Sequence, residues 1–263
     1  MLTIGAVAYT PNVVPIWEGI RDYFEGSGAE MDFVLFSNYG RQVDALLAGT
    51  VDIAWNTNMA WVRTVLQTDG GCRALAMRDT DLTFASVLVA RAGSGLDGLD
   101  DLHHRRIALG SRDSAQASVL PVHFLTRAGV ADVEFLRIDS DLGKHGDTGR
   151  SELDAIRAVL DDQADVAAIG ITTWEAIGKD ELMPGALEEV WRSEPYCHCN
   201  FTTLLPSART EPWVEHLLKM DWHDPAHRRI LELEGLRRWV RPELDGYASL
   251  FEAVERQGLA PTW

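Results

Sequence analysis

The sequence predicts an α/β protein of two Rossmann-like lobes joined by two hinge strands. Three observations carry that expectation. Apolar, β-prone runs alternate with stretches of helical spacing up to about residue 171, the pattern of parallel sheet with crossover helices. A helix, a short apolar strand with a neighbouring Val and Asp, and a polar loop follow one another twice, at 41–58 and 152–173, as two similar lobes require. The tail from about Ser207 turns helical with no low-complexity linker. Residues 1–84 plus 205–263 are expected as lobe 1 and residues 85–204 as lobe 2, with the chain crossing near 84 and near 200.

In order, LTIGAVAY (2–9) reads as the first strand, and VVPIWEGIRDYFEG (13–26) has Ile16, Ile20, Tyr23 and Phe24 on one helical side, with Gly26 at its stop. MDFVLF (31–36) is a strand, GRQVDALLAGT (40–50) a helix, VDIAW (51–55) a buried strand and MAWVRTVLQT (59–68) a helix. CRALAMRD (72–79) and FASVLVARA (84–92) are strands. RRIALG (105–110) leads into a helix over 114–129 that Gly129 ends. VEFLRI (133–138), a helix over 149–163 and ADVAAIGI (164–171) complete the second set.

Composition narrows the function classes. With 263 residues, 46% hydrophobic and 24% charged, the chain can bury a substantial core. No run reaches the roughly 18 apolar residues of a membrane helix, so membrane insertion is not expected. The net charge of −16 lacks any basic face, and HHRR (103–106) is too short to make one, which argues against nucleic acid. Three cysteines cannot all pair within the chain and fit a reducing compartment. The N-terminus has no basic region or small-residue cleavage site. It reads as cytoplasmic as it stands, and as periplasmic or lipid-anchored if a leader precedes it.

Open α/β sheets bind ligands at the carboxyl ends of their strands, where loops lead into helix N-termini. The loops expected there are rich in small donors: YTPN (9–12), SNYG (37–40), NTNM (56–59), GSRDSAQAS (110–118), DSDLGKHGDTG (139–149) and ITTW (171–174). A helix start leaves about four N–H groups unpaired and carries roughly half a positive charge. Ser114, Gln116 and Ser118 would ring one such end, and Asn56, Thr57 and Asn58 another. Asp113 or Ser114 as a simple N-cap is the competing reading of the first. The expected ligand is a small polar, anionic metabolite captured in an interlobe cleft, with no cofactor. The expected contacts are Tyr9, Tyr39, Asn56, Thr57, Asn58, Ser111, Ser114, Gln116, Ser118 and Thr172, with His145 and His198 beside them.

The run NYGRQVDALLAGTVDIAWNTNMAWV, followed by ASVLVARAGSGLDGLDDLHHRRIALGSRDSAQAS, resembles the phosphonate-binding-like solute-binding proteins of ABC transporters. The resemblance covers roughly residues 1–240 and implies the type 2 periplasmic-binding-protein fold. It also implies hinge closure on the ligand, and an ABC permease as partner if the protein is exported. That family's anion-gripping Ser-Thr-Ser falls here on Gln116, Ala117 and Ser118, so a single hydroxyl remains. Its loop aromatic falls near Tyr39 and its amine-binding acid near Thr172. Its histidine ahead of the later helix falls approximately on Glu152, with His145 as a substitute. Cytoplasmic enzymes on this fold are also similar: menaquinone-pathway lyases, a phthalate-type decarboxylase and a thiamin-pyrimidine synthase whose Cys-rich motif PYCHCNF (195–201) loosely resembles. Whether the protein is an enzyme therefore stays open.

The lyase or decarboxylase alternative would use His145 or His198 as proton carrier. A metal-dependent alternative would use Cys197, His198 and Cys199. Strand alternation would put the two thiols on one face and His198 on the other. That is a poor match to the paired ligands of a structural zinc site, so no metal is expected as the leading reading. No G-x-S-x-G elbow surrounds Ser114.

Overall fold

The computed structural model of the protein describes residues 1–144, 149–178 and 185–260. Its chain contacts divide into two units, Met1–Thr83 with Tyr196–Tyr247 and the C-terminal Ala260, and Phe84–Pro195 with Ala248–Leu259.

The first passage through unit 1 forms β1 (Leu2–Val7), α1 (Val13–Phe24), β2 (Met31–Phe36), α2 (Tyr39–Leu47), β3 (Ile53–Asn56), α3 (Asn58–Gln67), β4 (Arg73–Ala74) and β5 (Met77–Arg78). The chain then builds unit 2 from β6 (Ser86–Arg91), β7 (Arg106–Leu109), a π-helical turn (Ala115–Val119) running into α4 (Leu120–Arg127), β8 (Glu134–Arg137), α5 (Arg150–Leu160), β9 (Val166–Gly170), α6 (Ile171–Gly178) and β10 (Leu187–Arg192). It returns to unit 1 as β11 (Asn200–Thr203), α7 (Ser207–Leu217), α8 (Pro225–Glu234) and β12 (Trp239–Val240), and α9 (Ala248–Arg256) belongs to unit 2.

Local chemistry sets the helix ends. The Asn38 side chain accepts from Arg41 N at 2.9 Å to start α2. The Asp224 carboxylate accepts from Ala226 N at 2.8 Å ahead of Pro225 to start α8. Gly235 ends α8 at φ 80°, a left-handed backbone that costs glycine nothing.

Each unit folds around a five-stranded mixed sheet. In unit 1 the order is β2-β1-β3-β11-β4, with β1 parallel to β2 and β3 and β11 antiparallel to β3 and β4. In unit 2 it is β10-β6-β9-β7-β8, with β7 parallel to β8 and β9 and β6 antiparallel to β9 and β10. The expected parallel pairing holds for β1, β2 and β3 and for β7, β8 and β9, and each sheet adds antiparallel pairs. The strands next to the points where the chain changes unit, β6 and β11, run against the others.

The core of unit 1 is aromatic. Phe24 stacks on Trp213 with ring centroids 5.4 Å apart, and Trp55 meets Phe201 at 4.6 Å. Burying each such ring stabilises by about 1.5–3 kcal/mol. In unit 2 the apolar runs of β6 and β9 are buried along Val87–Ala90 and Val166–Ile169, as expected for strands covered on both faces. Residues 196–204 lie with unit 1, where β11 fills the place between β3 and β4. Residues 248–259, expected in lobe 1, lie with unit 2. There α9 packs on α4, and Gln257 Nε2 donates to Val119 O at 2.8 Å. The helix expected over 114–129 begins as a π turn before α4. Among the described residues no helix is long and apolar enough to cross a membrane.

Candidate functional site

Because β7, β8 and β9 are mutually parallel, their carboxyl ends, at Leu109, Arg137 and Gly170, share one edge of the unit 2 sheet. The loops leaving that edge carry the polar residues singled out in the sequence. Ser111, Ser114, Gln116 and Ser118 are all buried. Thr172, half-buried, lies in the first turn of α6.

The glycine after β7 makes this arrangement sterically accessible. A Cβ on Gly110 would come within 2.7 Å of Ala117 Cβ and 3.1 Å of Ser151 Oγ. Gly110 N donates to Ala117 O at 2.9 Å, folding the loop onto the π turn. Ser114 caps that turn, accepting from Ala117 N at 3.3 Å. The capping reading of Ser114 therefore holds, and it accounts for one N–H of a helix start that leaves about four without an intrahelical acceptor. Ser111 Oγ donates to Asp141 Oδ1 at 2.5 Å. Arg112 is exposed and binds Asp139 through its backbone and its guanidinium.

Two residues of this edge were not anticipated in these roles. Arg137, the last residue of β8, donates through Nη1 to Ser118 Oγ at 2.9 Å, bringing a positive charge to the surviving hydroxyl. Glu152, in the first turn of α5, is 1% exposed. Its Oε1 accepts from Gln116 Nε2 at 3.1 Å, its Oε2 accepts from Gly170 N at 2.8 Å, and Thr173 also bonds it. Burial drives its pKa up to about 7. The bonds from Thr173, Gly170 and Gln116 oppose that rise and the nearby Asp141 charge adds to it. Gln116, expected to serve an anion directly, thus spends an N–H on a carboxyl group. Ser151 Oγ and Asp141 Oδ2 are buried without a hydrogen-bond partner among the described residues.

In unit 1 the expected contact residues serve largely internal roles. Asn56 Oδ1 accepts from Gln42 Nε2 at 2.8 Å, and Asn56 Nδ2 donates to Thr202 Oγ1 at 3.0 Å, tying β3 to β11. Thr57 caps α3, accepting from Ala60 N at 3.4 Å. Asn58 Oδ1 accepts from Met59 N at 2.9 Å. Tyr39 is buried at the start of α2 and Tyr9 is half-buried after β1.

His198 also lies in unit 1 and is 1% exposed. It joins a buried ionic network. Arg78 grips Asp81 with both arms, Nε to Oδ2 at 2.7 Å and Nη2 to Oδ1 at 2.8 Å, and donates to Glu234 O at 3.1 Å. His198 Nδ1 lies 3.5 Å from Asp81 Oδ1 and 3.1 Å from Cys199 Sγ. Burial alone would raise the Asp81 pKa. The Arg78 charge and bonds, with His198, reverse that and hold it at about 2. The Cys197–His198–Cys199 trio of the metal-dependent alternative is not the group that the structure brings together. Residues 197–199 are irregular, not a strand. Cys197 Sγ instead meets Glu243 O at 3.1 Å, and burial pushes its pKa up to about 11. Asp81 takes the third place beside His198 and Cys199, with donor atoms within 4.8 Å of one another. The Arg78 guanidinium already occupies both Asp81 oxygens, so this group is an ion pair with its cation built in. His145 lies outside the described residues.

The model of the family described as ABC transporter, phosphonate, periplasmic substrate-binding protein matches residues 6–247. The chain belongs to that family. It is 25% identical over 236 residues to the probable ABC transporter phosphite binding protein PhnD1 of Prochlorococcus marinus, an alignment covering 85% of this chain and 77% of PhnD1. The structure of that PhnD1 in complex with methylphosphonate superposes with a TM-score of 0.77 at 21% identity over 98% of each chain. XAC2383 from Xanthomonas citri, solved with ATP, gives 0.75 at 17% identity over 97% of each. The aliphatic sulphonate binding protein SsuA from Escherichia coli gives 0.58 at 14% identity, covering 96% of this chain and 78% of SsuA. The mixed α/β architecture is that of type 2 periplasmic binding proteins.

Proposed function

We propose that this phosphonate-type solute-binding protein captures a small tetrahedral oxyanion of the phosphonate or phosphite class and delivers it to an ABC permease. The observation that carries the reading is the strand-end edge of unit 2. There the Gly110 loop, the helical run 115–127 and the Arg137–Ser118 pair gather donors around buried hydroxyls. A helix start and a guanidinium both favour an oxyanion. The family match and the phosphite and methylphosphonate ligands named for PhnD1 point to the same class.

Calorimetric titration with methylphosphonate, phosphite, phosphate and sulfate tests this. At least one phosphorus oxyanion is expected to bind and to raise the unfolding midpoint, the stabilisation reaching about 2.7 kcal/mol at a hundredfold excess over Kd. Arg137→Ala is expected to weaken that binding at least tenfold. Failure of all four anions to bind would refute the reading.

A further inference from the structure

Glu152 is an odd neighbour for an oxyanion. It is a buried carboxyl group joined to Gln116, on the same strand-end edge as Ser118 and Arg137. We propose that Glu152 makes anion capture proton-linked: the site takes its oxyanion together with one proton from solvent, held on the Glu152 carboxyl. The proposal rests on the oxyanion reading above and adds a selectivity and positioning residue to it.

The geometry supplies the reason. With Glu152 ionised, its oxygens are three-fold supplied by Gln116 Nε2, Gly170 N and Thr173. Gln116 is then tied as a donor to a negative charge. Protonated on Oε1, the same carboxyl group becomes a donor. It can bond the Gln116 carbonyl once the amide turns over, which releases the amide N–H for an oxyanion. The proton thus removes a repelling charge and converts Gln116 from a counterion partner into a ligand donor.

The surroundings bias the carboxyl group toward protonation without completing it. The loop after β8 contributes Asp141, whose charge opposes ionisation. Among the described residues, the hydrogen-bond partners from β9, α6 and the π turn are neutral, Gly170, Thr173 and Gln116. Among the described residues, the cations on these elements are engaged elsewhere, Arg112 on Asp139, Arg137 on Ser118 and Arg150 on Asp154. Ser151 Oγ, buried on the same turn of α5 and without a partner among the described residues, offers a further hydroxyl. Before ligand arrives Glu152 titrates at about 7. An arriving anion opposes ionisation further, so proton uptake is concentrated above pH 7.

The sign follows from linkage. Where the complex holds one more proton than the free protein, affinity falls by up to about tenfold per pH unit as pH rises. Binding of methylphosphonate is measured from pH 6 to pH 9 for the wild type and Glu152→Gln, in two buffers of different ionisation heat. Methylphosphonate's own proton is common to both proteins and drops out of the difference. The wild type is expected to take up close to one proton more per ligand than the variant at pH 8. Its affinity should fall more steeply by nearly tenfold per pH unit. Infrared difference spectra of the wild type should gain a protonated-carboxyl band when methylphosphonate is added at pH 8, a readout that does not need the variant to fold. Binding with equal pH slopes and no such band overturns the proton link while leaving oxyanion capture intact. Failure of methylphosphonate, phosphite and phosphate alike to bind at any pH overturns both.

Discussion

Asp81 shows how much a single buried charge depends on its partner. Its carboxylate is fully buried and doubly bonded by Arg78. Removing one member of such a pair leaves the other charged in a dry interior, a loss of about 3–5 kcal/mol. Arg78→Ala is therefore expected to lower stability by that amount at pH 7. Trp55 lies 5.6 Å from the guanidinium, so denaturant unfolding can follow its fluorescence. The folded pKa of about 2 lies below the ordinary aspartate value of 3.8. The pair's contribution is thus fully present above pH 4 and is lost as pH falls toward 2. The wild type should lose about 2 kcal/mol over that window, and Arg78→Ala should not. Equal acid sensitivity in the two proteins would remove Arg78 from this role. At this scale the sequence marked His198 and Gln116 as notable. It could not show their partners, which lie 117 and 36 positions away in the chain, at Asp81 and Glu152.

At the scale of elements, the turn between β7 and α4 is a closely packed piece of the candidate site. Its π geometry, the Ser114 cap and the Gly110–Ala117 contact are one unit. Gly110→Ala would drive a methyl group to 2.7 Å from Ala117 Cβ. Overpacking of this kind costs about 1–3 kcal/mol. The variant is expected to unfold at lower temperature and to lose oxyanion affinity at least tenfold. Retention of both would mean that the turn relaxes freely. The presence of a helix after β7 was legible from apolar spacing and from Gly129 at its end. The π turn was not, because a single wide turn leaves the apolar pattern of the residues after it unchanged. Likewise, the polar loops at 56–58 read as ligand donors, while Asn56 is held by Gln42 and Thr202. Small polar residues at strand ends serve sheet closure and ligand alike, and composition cannot separate the two uses.

For the molecule as a whole, the charge of −16 would oppose the proposed oxyanion at long range, while the Arg137 edge would attract it at contact. Salt screens the long-range part, with a Debye length of about 10 Å at 0.1 M. The association rate of methylphosphonate, followed by stopped-flow fluorescence, is accordingly expected to rise between 0.02 M and 0.2 M salt, about threefold or less. A steep fall would show that a local positive field governs encounter instead.

What the sequence determined by itself was the α/β class, the order of most strands and helices, and the likeness to a family that the match over residues 6–247 bears out. Those rest on short-range periodicity and on motifs that stay contiguous in the chain. The tertiary structure alone decided that β6 and β11 run antiparallel, that residues 248–259 pack with unit 2, and that Glu152 rather than solvent meets Gln116. Each of these is a pairing between distant segments. Which partner is chosen depends on how the chain closes its loops and buries its faces, a property of the whole fold that no local spacing records.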